Sequence, residues 1–233
     1  MVGGTASAQY IGGNLSNWNN PISATANSIL MAQMHGKLQE NQQRRAAAAG
    51  SRTGGTPMTA SALDATRFVP SSARHTPTSM AQSLPAHERR QALAVYEALL
   101  DGYRRFIVDS GEHARLHDNV AGALTFMLLG ARFVLTEGEE LGDVESAALL
   151  ADLHAALVDM PAFAAMPDPE RQHLHDVFAI TGSLVVSLYQ SGIAEGDATQ
   201  VAEARALAGE VFAQVLDRGP VDVRFTAAGL DLR

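Results

Sequence analysis

Two short stretches hold side chains at spacings that could do chemistry. In "GEHARLHDNVAGALTFML", residues 111–128, His113 and His117 stand four positions apart, followed at once by Asp118 and Asn119. On one continuous helix the two imidazoles would share a face and could bind one metal ion, as in zinc proteases. That pattern also needs a glutamate directly after the first histidine, and Ala114 occupies the position. Gly111 is a helix stop signal and Asp118 a start signal, so the histidines are expected in a connector, with Asp118 capping the helix that follows. The second stretch is Glu170-Arg171-Gln172-His173, a Glu-x-x-His of the kind di-iron bundles use twice. Only one copy exists, and the glutamates that would complete such a site, Glu97 and Glu145, lie at the edges of their apolar stripes. Glu170 is accounted for by the favourable place of an acid in a helix's first turn.

Other catalytic patterns are missing. Around Gly182-Ser183 there is no Gly-x-Ser-x-Gly elbow, because Leu184 and Val185 follow inside a helical stretch. The absence of cysteine removes disulfides, thiolate metal sites and a cysteine nucleophile. The Gly-Gly pairs lack both the lysine and the strand-to-helix setting of a phosphate loop. No catalytic residue, metal ligand or cofactor is therefore assigned. One charge is conspicuous: Arg132 stands in the most apolar helical run, where a buried guanidinium needs a carboxylate, and Asp101, Asp109 or Asp176 could supply it. A structural ion pair is the expected reading.

The elements that would position these residues follow from periodicity and caps. The compact body is placed at 84–233 and is expected to be all-α, a largely antiparallel bundle of about five helices. Its first helix has Pro85 in the first turn and an apolar face of Leu93, Tyr96, Leu100, Tyr103 and Ile107. The next, starting after Asp118, is apolar nearly all round and is the candidate central helix. A third has Asp143 as cap and ends at Pro161; a fourth opens with Asp168 as cap and Pro169; the last is capped by Asp197. Gly122, Gly130 and Gly182 each cost about 1 kcal/mol in mid-helix, which points to close helix contact. The closing "VDVRF" alternates like a strand without a visible partner and is read as an extended tail on the bundle.

Ahead of the body come a Gly/Asn-rich arm over 1–21, an amphipathic helix over 22–50 expected to stand detached, and a Ser/Thr/Pro-rich linker over 51–83 with one apolar island, Leu63, Phe68 and Val69. Tyr10 and Trp18 on the arm, with Ile29, Leu30 and Met34 on the helix stripe, are the candidate interaction residues. Residues 1–90 carry 8 basic and 3 acidic side chains, whereas the remainder carries 9 and 22. A body of net charge -13 repels phosphate backbones, and the basic arm has neither a dense cationic run nor interleaved aromatics, so no nucleic-acid partner is expected. No apolar stretch of about 18 residues runs without a polar interruption, so no transmembrane segment is expected either.

Two motifs, Phe68-Val69-Pro70-Ser71-Ser72-Ala73-Arg74 and Asp118-Asn119-Val120-Ala121-Gly122-Ala123, resemble those of an uncharacterised bacterial family of probably exported helical proteins. The resemblance implies a docking clip formed by Phe68, Pro70 and Arg74, with Asp118 and Asn119 at its capping or functional centre. It also implies export, which agrees with the small-x-small triplet Ala6-Ser7-Ala8, although no charged or apolar signal region precedes it. Together these features give the expectation of a non-enzymatic periplasmic or extracellular protein that binds a protein partner or itself through residues 1–50. The alternatives are a carrier with a cavity lined by Phe126, Met127, Phe178 and Tyr189, and an enzyme with an unfamiliar site near Asp118 and Arg132.

Overall fold

A computed structural model describes residues 25–47, 58–71 and 75–233. Among them the chain is almost entirely helical: α1 (Thr25–Ala47), a 3-10 turn (Ser61–Thr66), α2 (His75–Gln82), α3 (Arg89–Asp109), α4 (His113–Leu116), α5 (Val120–Leu135), α6 (Asp143–Val158), α7 (Pro161–Ala164), α8 (Asp168–Glu195) and α9 (Ala198–Leu216). A hairpin of β1 (Val223–Thr226) and β2 (Gly229–Leu232) closes the chain. The all-α bundle expected from periodicity is the architecture found.

α5 is central because it has almost no polar face to show to water. Val120, Leu124, Met127, Leu128, Ala131 and Val134 are all sealed from solvent. It packs on α8 and α9 on one side and on α6 on another, and α8 in turn carries α3. The α5–α8 contact is tight for a specific reason. A Cβ on Gly182 would lie 2.8 Å from the Met127 Cα, and one on Gly130 would lie 3.0 Å from the Val186 side chain. Only glycine lets the two backbones come this close, so these mid-helix glycines exchange helix propensity for packing. α8 is long and apolar enough to cross a membrane by length and composition alone, though polar residues such as Thr181, Ser183 and Ser187 interrupt it. Most of that apolar window is covered by the rest of the bundle.

Helix starts differ from expectation by single positions. Asp197 does cap α9, accepting from the backbone N–H groups of Thr199 and Gln200 at 2.9 and 3.0 Å. Asp143 and Asp168 are instead the first helical residues behind Gly142 and Pro167. Pro85 lies in the turn before α3, and Pro161 begins α7 as well as following α6. α8 ends at Gly196, whose φ of 70° is the left-handed geometry that reverses the chain into α9.

Three larger corrections concern the periphery. α1 is not detached: Met31, Met34 and Leu38 are buried, and the helix lies on α6, α9 and β2. His35 Nε2 sits 3.0 Å from the Gln214 carbonyl, Gln42 donates to Asp231 and the Leu232 carbonyl, and Arg44 pairs with Asp159 at 3.0 Å. The stripe read as available for a partner is therefore at least partly covered by the chain's own body. "VDVRF" does have a partner, because "GLDL" pairs with it antiparallel in the register Val223↔Leu232 and Thr226↔Gly229. The buried carboxylate of Asp152 on α6 accepts from Leu230 N–H at 2.7 Å and ties the hairpin down. Finally, 58–83 is no free linker. Leu63, Thr66, Phe68, Thr76, Met80 and Ala81 are buried, so residues 58–71 and 75–82 form a strap packed on the helices.

Candidate functional site

The polar chemistry of the chain gathers where the strap meets α4, α5, α6 and α8. Asn119, not Asp118, caps α5: its Oδ1 accepts from Gly122 N–H at 2.9 Å, while its Nδ2 donates to the Leu63 carbonyl at 3.0 Å. Asp118 cannot be the cap because its φ of 51° places it in the left-handed region, whereas a cap needs the extended backbone that Asn119 has. Asp118 instead accepts Phe68 N–H with its carbonyl at 3.1 Å and places its carboxylate 2.8 Å from His117 Nδ1. The central role that the resemblance gave to Asp118 and Asn119 is thus a structural junction, at which Arg67 and Asn119 also form an isolated β-bridge.

Thr66 joins the same junction. Its hydroxyl lies 3.1 Å from each of the Leu63 carbonyl, Asn119 Oδ1 and His154 Nδ1, all within the interior. Two arginines clamp the strap from outside. Arg67 donates to the His117 and Arg115 carbonyls, and Arg171 donates to the Ala65 and Arg67 carbonyls while stacking on Phe163 at 4.7 Å. Gln172 accepts Ser71 N–H at 2.7 Å, and His173 Nδ1 meets the Thr76 hydroxyl at 3.1 Å. The Glu-x-x-His segment is thus an attachment face for the strap, carried mainly by the two residues between its motif positions.

Beneath the strap lies a second cluster. His175 Nδ1 is 2.9 Å from Asp176 Oδ1, and both side chains are essentially sealed from solvent. The Phe68 ring meets the His175 ring edge-on at 5.1 Å, and Tyr103 meets it at 5.5 Å. Among the described residues, His175 Nε2, Asp176 Oδ2 and the Tyr103 hydroxyl are buried with no hydrogen-bond partner. Burial, reinforced by Asp118 and Asp176, pushes the Tyr103 phenol far up, so it stays neutral. A cavity of about 10 Å³ adjoins them, lined by Tyr103, Arg104, Ile107, His117, Asp118 and His175. That is room for one water-sized molecule. A carboxylate-oriented imidazole is the arrangement general bases use, yet this one has no serine, threonine or cysteine on its cavity wall and room for no more than one water-sized molecule.

Charge at the histidines is set by burial. Desolvation holds His154 below the ordinary histidine range, and it does the same at His173, where Asp176 pulls weakly the other way. His117 is also lowered, first by burial and further by His113, His175 and Arg104, with Asp118 opposing. The His113 and His117 rings lie 4.2 Å apart, but α4 is a single turn. Among the described residues no group of three or more His, Asp or Glu side chains is placed to hold a metal ion.

The remaining candidates are scattered. Tyr10, Trp18 and Arg74 fall outside the described residues, as do the side chains of Ile29 and Leu30. Met34 is fully buried on the body. Phe68 is buried against the His175 ring, whereas Pro70 is exposed. Arg132 pairs with Glu139, through its carboxylate at 3.1 Å and its carbonyl at 2.8 Å, rather than with Asp101, Asp109 or Asp176. The guanidinium reaches the helix end and the loop beyond it, where water is available. Met127 and Phe178 have no contact with a water-sized probe, so the space between α5 and α8 is filled there.

Sequence reasoning passed over Arg67, Arg171, Gln172, His154 and the His175–Asp176 pair as a centre. The available signal was polar residues on the inward face of an otherwise apolar helix, most visibly His175-Asp176 between Leu174 and Val177. On the outside, an open groove of about 520 Å³ lies at the α8–α9 turn, lined by Gly192, Ile193, Ala198, Val201, Ala202 and Arg205 among others.

A helical bundle strapped by its own N-terminal segment and closed by a hairpin is the class of protein defined by these features. The chain belongs to DUF6683, a family of unknown function whose family model matches residues 6–233. No curated protein and no solved structure matches it.

Proposed function

We propose that this protein is non-enzymatic and works at the cell envelope, after export, by contact with a protein partner or with a second copy of itself. The observation that carries this reading is how polar and apolar groups are divided between inside and outside. His154, His175, Asp152, Asp176 and Tyr103 are buried in the interior, while the groove at the α8–α9 turn is mostly apolar, with Ile193 59% exposed in its wall. Reactive groups turned inward suit a scaffold, and an apolar recess rimmed by Asp197 and Arg205 suits docking. The arm carrying Tyr10 and Trp18 supplies the second adhesive part in this reading, and Ala6-Ser7-Ala8 is the motif that favours export.

The docking of α1 decides how this is tested. Removing residues 1–50 would strip the cover from an apolar face of the body, so the informative deletion is 1–24, combined with Ile193→Asp in the groove. Sedimentation and in-cell crosslinking are expected to show a lost self-association or lost partner bands in one or both variants. Unchanged mass and unchanged crosslinks in the double variant would overturn the reading. A carrier role has one favourable observation, since the groove's volume lies within the range of small-molecule sites. A retained apolar ligand in gentle mass spectrometry of the protein from its own host, lost in Ile193→Asp, would select it.

A further inference from the structure

We propose that the strap over residues 58–71 and 75–82 is an acid-released latch, held on the body where its threonines meet His154 and His173 and freed from it before the helical bundle itself unfolds. Three histidines of the body face this one segment. His154 of α6 meets Thr66, His173 of α8 meets Thr76, and His175 of α8 carries the Phe68 ring on its own. No comparable set ties α5 to α8, where the contact is apolar and glycine-tight.

The His154 contact shows how acid acts. The Thr66 hydroxyl has one proton and two oxygen acceptors within 3.1 Å, the Leu63 carbonyl and Asn119 Oδ1. That leaves His154 Nδ1 to donate into the hydroxyl's lone pair, so a second proton must go to Nε2. Protonation then leaves the hydrogen bond to Thr66 in place but buries a cation. Among the described residues no carboxylate acts on His154: the strap offers Thr66 and α5 offers Asn119. At His173 the facing groups are Thr76 from α2 and the Asp176 carboxylate from its own helix, which offsets a cation only in part. Burying a charge without a partner is costly enough that the site hydrates instead, and lifting the strap is the movement that admits water.

The rest of the strap's attachment does not titrate in this range. Arg67, Arg171, Asn119 and Gln172 hold it through backbone carbonyls and N–H groups. The latch therefore loosens in one direction only, as pH falls below the ordinary histidine value of about 6.5. Release bares Leu63, Phe68 and Met80 together with the ring of His175, an apolar surface that neutral pH keeps covered. This inference stands apart from the proposed partner binding, since it concerns the isolated chain.

Hydrogen exchange of the full chain at pH 7.5 and 5.5, corrected for intrinsic rates, tests it. Peptides within 58–82 are expected to lose protection by about tenfold or more at the lower pH, while peptides from 120–135 and 174–190 hold theirs. The double variant His154→Gln/His173→Gln keeps a side-chain amide at both threonines and is expected to flatten the pH response of the strap. His87→Gln, at an exposed surface histidine, is expected to leave it intact. Equal loss of protection in strap and core of the unmodified chain overturns the proposal, and that comparison needs no variant to fold. An undiminished pH response in either a folded double variant or both folded single variants overturns it as well.

Discussion

The α5–α8 crossing and the strap face are both buried, and they are held by opposite means. At the crossing, Gly130 and Gly182 remove side chains so that two apolar helices touch, against Val186, Met127 and Phe126, none of which titrates. At the strap, a segment of mixed polarity is tied by Asn119, Thr66, Arg67, Arg171 and three histidines, so its stability depends on satisfied donors and on charge state. The difference teaches where each kind of interior is useful. Dispersion and close packing fix a permanent core, whereas a polar interior gives a segment one defined place and a means of leaving it.

The sharpest way to break the polar side of this comparison is Asn119→Ala. It removes a helix cap and one of the two side-chain donors to the buried Leu63 carbonyl, leaving the Thr66 hydroxyl alone there, and it is expected to lower the unfolding free energy by about 2 kcal/mol in urea melts. Asn119→Ser keeps a cap oxygen while losing the bond to Leu63, so it is expected to recover roughly half of that loss. An Asn119→Ala protein as stable as the parent would show that the junction is ornamental.

On the apolar side, Gly182→Ala is expected to destabilise by about 1–3 kcal/mol, since its Cβ would press on the Met127 backbone and outweigh any gain in helix propensity. Gly102→Ala on α3 is the internal control. Nothing lies within 4 Å of its added Cβ, so the same change there is expected to stabilise by up to about 1 kcal/mol. Thermal melts that ranked the two glycines the other way would remove the argument for a tight crossing.

The pH dependence separates the regions directly. His117, His154 and His173 are all held below the ordinary histidine value, so on acidification the unfolded chain takes up its protons first. Stability is therefore complete above about pH 6.5 and falls as the pH drops from there through the folded-state values. Denaturant midpoints between pH 7.5 and 5 are expected to decline with a slope reduced in His154→Gln. A flat or rising midpoint would contradict the burial of these rings as neutral groups.

The smallest effects are expected at the residues that first suggested chemistry. Asp118→Gly relieves a left-handed backbone that aspartate tolerates and glycine prefers, at the loss of one partly exposed pair with His117. A change within about 1 kcal/mol of zero is expected. His113→Ala is expected to be near neutral and insensitive to zinc or chelator in thermal melts. A chelator-sensitive melt abolished by His113→Ala would restore a metal site at this place.

Much of this molecule was legible before its folding was known, and particular residues show why. Tyr96, Leu100, Tyr103 and Ile107 recur at helical spacing, and Asp197 sits just before an apolar run, so α3 and the start of α9 follow from contacts that span a few residues. Gly182 announced a close helix contact by being a poor helix residue in a strong helix. The cap of α5 was misplaced by one position because Asp118 and Asn119 are both good capping types, and the choice rests on which of them has the extended backbone.

What local pattern determined was the longer helices, the all-α class and the absence of familiar catalytic motifs, whereas α2, α4 and α7 were not visible in it. What the tertiary structure decided was which elements share an interior. The strap reads as a linker because its composition is Ser, Thr and Pro, yet partners more than fifty residues away in the chain, Asn119, His154 and Arg171, satisfy its backbone and bury its few apolar groups. α1 reads as detached for the same reason, since its cover comes from α6, α9 and the hairpin. Short-range periodicity reports the face a segment has to bury. Only the closed chain, once loop entropy has been overcome, supplies the surface on which it is buried.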